Sequence, residues 1–93
     1  MIKTISEGQI EGIVIIINSV KDIHGKAISN KVVITKELDQ KLLSYLFNVK
    51  GIIVEEGSLL SHVSIFCREA NIPCKIIHNA TKIYKDGDEI KIN

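Results

Sequence analysis

The hydrophobic pattern of this chain changes period part-way along, and that change restricts the fold more than any other feature. Up to Thr35 the apolar residues come in short β-branched runs. Ile10 to Ile17 reads as one strand, in an opening segment punctuated by Gly8 and Gly12, and Lys31-Val32-Val33-Ile34-Thr35 reads as a second. Asn18 to Lys26, polar and containing Gly25, is the loop between them. From there Leu38, Leu42, Tyr45, Leu46 and Val49 recur at helical spacing. Thr35 is expected to cap that helix, with Glu37 in its first turn where the helix dipole favours a carboxylate. Gly51-Ile52-Ile53-Val54 returns to a strand, Glu55 to Leu60 is a loop, and a second helix is expected from Ser61 to Ala70, with Val63, Phe66, Cys67 and Ala70 on one face. Asn71 is suited to end it in the left-handed conformation, and Pro73 prevents its continuation. Cys74 to Ile77 reads as a strand, Asn79 to Tyr84 as a helical turn, Lys85-Asp86-Gly87-Asp88 as a turn, and Glu89-Ile90-Lys91-Ile92 as a final edge strand. A strand-rich start followed by alternating helix and strand predicts a three-layer α/β domain with a mixed sheet.

The chain has 93 residues, which is the size of one domain, so residues 1–93 are expected to form a single unit with a modest core. Twelve Lys plus Arg against 11 Asp plus Glu give a net charge of +1, which argues against nucleic-acid binding by bulk electrostatics. The aromatics are Tyr45, Phe47, Phe66 and Tyr84, with no Trp, so no stacking platform for single strands is present. The apolar run Gly12 to Ile17 is too short to span a bilayer and lacks the flanks of a signal peptide, which points to a cytoplasmic protein. Cys67 and Cys74 match no zinc or redox spacing and read as two free buried thiols. His24 and His78 have no metal-ligand spacing to each other or to a cysteine, and no metal site is expected.

The segment from Gly51 to Thr81 carries the chemistry. A strand delivers the chain through a Gly-containing loop to Ser-His at the start of a helix. The first N–H groups of a helix have no partner within it, and together with the dipole they favour an anion. Gly57 lets backbone approach such an anion closely, and Ser58 and Ser61 bring hydroxyl donors, Ser61 doubling as an N-cap. His62 falls in the first turn at the edge of the apolar face, beside Val63 and Phe66, supported by packing yet reachable from solvent. Imidazole is a nucleophile when neutral, and an ordinary pKa of about 6.5 leaves it largely neutral at pH 7. A helix start favours that neutral ring and then stabilises a phosphoryl group placed on it. Cys67 is five residues further on and points elsewhere, so a Cys67–His62 nucleophile pair is not expected.

The stretch Gly51-Ile52-Ile53-Val54-Glu55-Glu56-Gly57-Ser58-Leu59-Leu60-Ser61-His62 resembles the pattern G-I-V-T-x-x-G-G-x-x-S-H of the mobile, swivelling domain of phosphoenolpyruvate-utilising enzymes. The resemblance continues through Val63 to Glu69 and Asn71-Ile72-Pro73, and resumes at Asn79-Ala80-Thr81 and Lys85-Asp86-Gly87-Asp88. Pyruvate phosphate dikinase, phosphoenolpyruvate synthase and enzyme I of the sugar phosphotransferase system carry such domains. The resemblance implies the swivelling β/β/α (phosphohistidine) fold. It also implies that His62 accepts a phosphoryl group on Nε2 from phosphoenolpyruvate or from the β-position of ATP, with Gly57, Ser58 and Ser61 at the phosphate. The domain itself is expected to bind no cofactor. Nucleotide, phosphoenolpyruvate and Mg²⁺ are left to a nucleotide-binding or phosphoenolpyruvate-binding subunit or domain, so the chain is a phosphotransferase component rather than a complete enzyme. It departs from the pattern at Val54 in place of Thr, at Ser58 in place of the second Gly, at Leu59-Leu60, and at Cys74 to His78 in place of Ala-Val-Val-Gly. These departures motivate an alternative, a non-catalytic interaction or regulatory module that keeps the fold. An excised piece of a larger enzyme is equally compatible with the sequence.

Overall fold

The computed structural model describes the chain apart from Met1, His24, Lys26, Asp39 and residues 57–59, and apart from the side chains of Gln40, Leu60 and Ser61. Six strands form one curled mixed sheet: β1 Ile2–Ser6, β2 Ile10–Ile16, β3 Lys31–Thr35, β4 Gly51–Val54, β5 Cys74–Ile77 and β6 Glu89–Ile92, in the spatial order β1-β5-β4-β3-β2-β6. The inner strands β2, β3, β4 and β5 run parallel. The outer strands β1 and β6 pair antiparallel with β5 and β2. Among the described residues three α-helical elements connect them, α1 Gln40–Leu43, α2 Leu60–Ala70 and α3 Ala80–Ile83, and a 3₁₀ turn occupies Val20–Ile23. The α/β class and the mixed sheet expected from the sequence are present.

Side-chain alternation along the inner strands feeds two cores. Val33, Ile52, Val54 and Cys74 face one way and pack with Leu38, Leu42, Leu43 and Leu46 around α1 and with Val63 and Cys67 of α2. Val14, Val32, Ile34, Ile53 and Ile77 face the other way and pack with Ala80 of α3, flanked by Tyr84 and by Ile90 and Ile92 of β6. Because both faces are covered, β3 and β4 read as continuous apolar runs rather than as alternating ones. The sheet curls through β2, where Gly12 takes φ 151° and Ile10 crosses over Gly51 of β4. A Cβ on Gly51 would meet Ile10 Cγ2 at 2.8 Å, so only glycine leaves room for this fully buried isoleucine.

Four expectations around α1 are corrected. Among the described residues, the helix expected across Leu38 to Val49 is helical only over Gln40–Leu43, after which Tyr45 and Leu46 donate to Leu42 and Leu43 in tighter three-residue turns. The Ser44 hydroxyl donates to the Lys41 carbonyl at 2.7 Å, and such a local bond competes with a regular helix. Leu38, Leu42, Leu46 and Val49 are buried as expected, but Tyr45 is exposed. Thr35 is no cap either. It is the fully buried last residue of β3, its hydroxyl donates to the Glu37 carbonyl, and Glu37 precedes the helix rather than lying in its first turn.

The end of α2 is as the sequence predicts. Asn71 takes φ 57°, its N–H donates to Arg68, and the Ile72 N–H donates to the Cys67 carbonyl at 2.8 Å. This is a Schellman closure, completed by burial of Ile72 and Cys67 in the same core.

Candidate functional site at the carboxyl ends of the parallel strands

In an open α/β sheet, chemistry collects in the crevice beyond the carboxyl ends of the parallel strands. Here three adjacent strands end at Thr35, Val54 and Ile77, and Lys36, Glu55 and His78 are the next residues. The β3–β4 pairing runs past the formal strand ends. The Glu55 N–H donates to the Thr35 carbonyl at 3.1 Å, and the Glu56 N–H to the Lys36 carbonyl at 3.2 Å. Residues 57–59 follow, and α2 begins at Leu60, which places His62 as its third residue.

His62 is exposed in the first turn of α2, while Val63 and Cys67 are buried and Phe66 and Ala70 half-buried. The helix therefore anchors by one face and presents the imidazole outward. The far end of the helix is closed by the Schellman motif, and its middle is held by packing that includes an edge-on contact of Phe66 with Phe47, whose ring centroids are 5.1 Å apart. Of the other residues predicted to hold phosphate, Gly57 and Ser58 lie outside the described residues, as does the side chain of Ser61, which is the second residue of α2.

Glu55 is the polar centre that sequence reasoning missed. Its Oε2 accepts the Thr81 backbone N–H at 2.7 Å and also the Thr81 hydroxyl. Burial raises the Glu55 carboxyl, but the two bonds from Thr81 and the nearby Lys36 and His78 outweigh it, and the net shift is below the ordinary value. The signal was faint. Glu55 and Thr81 lie 26 residues apart, and only the strand ends they follow mark them as neighbours. His78, which has no metal-ligand spacing in the sequence, is exposed just past the end of β5 and adds to this group.

Asn79 turns the chain in the left-handed conformation, φ 60°, close to where the pattern has a glycine; asparagine tolerates that region better than most residues. Val54 belongs to the buried core and presents no hydroxyl at the strand end. Cys67 and Cys74 are free and buried, hydrogen-bonded to each other, and that bond together with burial pushes the Cys74 thiol up. Cys67 and His62 thus project to opposite environments, one in the core and one in solvent. Among the described residues no group of three or more His, Cys, Asp or Glu is placed to hold a metal ion, and no helix is long and apolar enough to cross a membrane.

The model of the PEP-utilising enzyme mobile domain family matches residues 28–93. The chain belongs to that family. It is 34% identical over 84 residues to a pyruvate kinase of Staphylococcus haemolyticus, a match that covers 89% of this chain and 14% of that protein. A pyruvate kinase of Staphylococcus epidermidis is 34% identical over 83 residues, again across 88% of this chain and 14% of its own length. The chain thus spans about one seventh of the curated relatives it matches, and in them the matching region is a small part of a larger enzyme. Two solved structures share the fold of this mobile domain. The solution structure of a UPF0107 protein superposes with a TM-score of 0.74 at 16% identity, covering 98% of this chain and 89% of that one. The holo-form of Thermococcus kodakaraensis aconitase X superposes with a TM-score of 0.73 at 21% identity, covering 96% and 86%.

Proposed function

We propose that this mobile domain is a phosphohistidine carrier in which His62 holds the phosphoryl group. The observation that carries the reading is an exposed imidazole in the first turn of α2, the helix that follows the parallel strand β4 in the chain, in a member of this family. The neutral Nε2 attacks the phosphorus of phosphoenolpyruvate. The bond from phosphorus to the bridging oxygen breaks, the electron pair leaves with the enolate, and the enolate takes up a proton to become pyruvate. With ATP as donor, Nε2 attacks the β-phosphorus and AMP leaves, and the pyrophosphoryl group so formed gives up its terminal phosphoryl group to water or inorganic phosphate, so that the β-phosphoryl group stays on the ring. Gly57, Ser58 and Ser61 are the residues assigned to the phosphoryl oxygens, helped by the N–H groups at the start of α2.

Residues 1–93 act as one mobile domain in this reading. A nucleotide-binding or phosphoenolpyruvate-binding subunit or domain supplies the donor and its Mg²⁺, and the setting is cytoplasmic. The chain is then a component of a phosphotransferase. Incubation with phosphoenolpyruvate or Mg-ATP and such a subunit should give an acid-labile adduct of one phosphoryl mass. An adduct that persists in His62→Ala would remove the assignment.

A second reading is favoured by Val54, which gives the strand end no hydroxyl for phosphate. On this reading the domain is a non-catalytic interaction module. It predicts partner binding that is indifferent both to His62→Ala and to phosphodonor.

A further inference from the structure

The sequence match at Asn79-Ala80-Thr81 has no task in the carrier chemistry, yet in the fold this turn meets the exit of β4. Ala80 is fully buried in the core beneath the sheet, and Asn79 holds the turn in its left-handed conformation. Thr81 is thereby held against the sheet, and it offers Glu55 both its backbone N–H and its hydroxyl. Glu55 is also tied through its own N–H to Thr35, and Glu56 through its N–H to Lys36. The chain leaving β4 is gripped on two sides, its backbone by β3 and its side chain by α3.

We propose that Glu55 is a positioning residue for His62. Its carboxylate, docked on Thr81, fixes the point and direction from which the chain departs β4 toward the start of α2. This rests on the reading of His62 as phosphoryl acceptor. A carboxylate with two donors from one residue has a defined orientation, whereas a free glutamate at the end of a strand has none. A phosphoryl acceptor needs such definition, because misplacement of about 1 Å by a change remote from the chemistry can slow a reaction by about a hundredfold. Glu55 makes no contact with the reacting atoms in this account, so its effect is exerted through the chain that follows it.

The test uses phosphoramidate, a small phosphodonor that needs no partner, with labelling mapped by peptide and His24 as the reference within each molecule. Amide exchange at Thr81 and Glu56 is followed in parallel, and thermal unfolding checks that each variant is folded. Glu55→Ala and Thr81→Val should each slow His62 labelling relative to His24 by about tenfold. Both should speed exchange at Glu56, and Thr81→Ser, which keeps the hydroxyl, should restore wild-type behaviour. A folded Glu55→Ala variant that labels His62 at the wild-type rate with Glu56 exchange unchanged overturns the proposal. If wild-type His62 labels no faster than His24, the carrier reading has failed. The hold of Glu55 on the strand exit is then judged by exchange alone: faster exchange at Glu56 in Glu55→Ala supports it, and unchanged exchange overturns it.

Discussion

The side chain of Ile10 occupies the space in which a Cβ on Gly51 would lie, with Ile10 Cγ2 at 2.8 Å from that position. Ile10 starts β2 and Gly51 starts β4, so the contact joins two strands that are not neighbours in the sheet, at the end where the β2–β3 pairing has not yet begun. Gly51→Ala should therefore push against a fully buried side chain rather than a flexible tip. Overpacking of this kind costs about 1–3 kcal/mol, and urea unfolding should show a lowered midpoint with little change in slope. A Gly51→Ala, Ile10→Val double variant should recover part of the loss, since the smaller side chain gives back some of the space.

Four of the six strands are legible in the sequence as β-branched apolar runs because both faces of β2 to β5 are covered. The same patterning gives β6 as an alternating edge strand. β1 leaves no such mark: Ile2, Lys3 and Thr4 are exposed at the sheet edge, and only Ser6 of the strand is buried. The spacing of Leu38, Leu42 and Leu46 reports burial correctly but not hydrogen bonding, and so overstates the helix. At the site, the strand-loop-helix path to His62 is readable from local sequence. The docking of Glu55 on Thr81 is not, because it joins the ends of two strands that the fold alone makes neighbours.

The left-handed residue at the end of α2 gives a second stability prediction. Asn71 has φ 57°, which asparagine tolerates and alanine resists by about 1–2 kcal/mol. Asn71→Ala should lower stability by about that amount in urea titration, and Asn71→Gly should leave it near the wild-type value.

Stability should respond to acid through Glu55. Its carboxyl lies below the ordinary value of 4.5 in the folded chain, so the folded state holds its proton less tightly than the unfolded chain does. The corresponding stabilisation is fully present above about pH 4.5, the unfolded value, and is lost as pH falls through the lower folded value. The stability difference between wild type and Glu55→Gln, measured by urea unfolding, should be larger at neutral pH than at pH about 3. A difference that grows on acidification would contradict the geometry described for this carboxylate.

Both cysteines should be silent to thiol reagents in the native state. Cys67 and Cys74 are free and each is fully buried. Reaction with a disulfide reagent should be slow in buffer and should release two equivalents promptly in denaturant. Prompt reaction of either thiol in the folded protein would mean that the packing of α2 on β5 is looser than described.

The most direct test of the central claim is the intact mass of the protein isolated from its own host under alkaline conditions, which preserve a phosphorus–nitrogen bond. The account predicts a fraction heavier by one phosphoryl group, lost on mild acid treatment, mapped by peptide sequencing to His62 and absent from a His62→Ala strain. A protein that stays unmodified through growth on different carbon sources, or one whose acid-labile label survives His62→Ala, would contradict it.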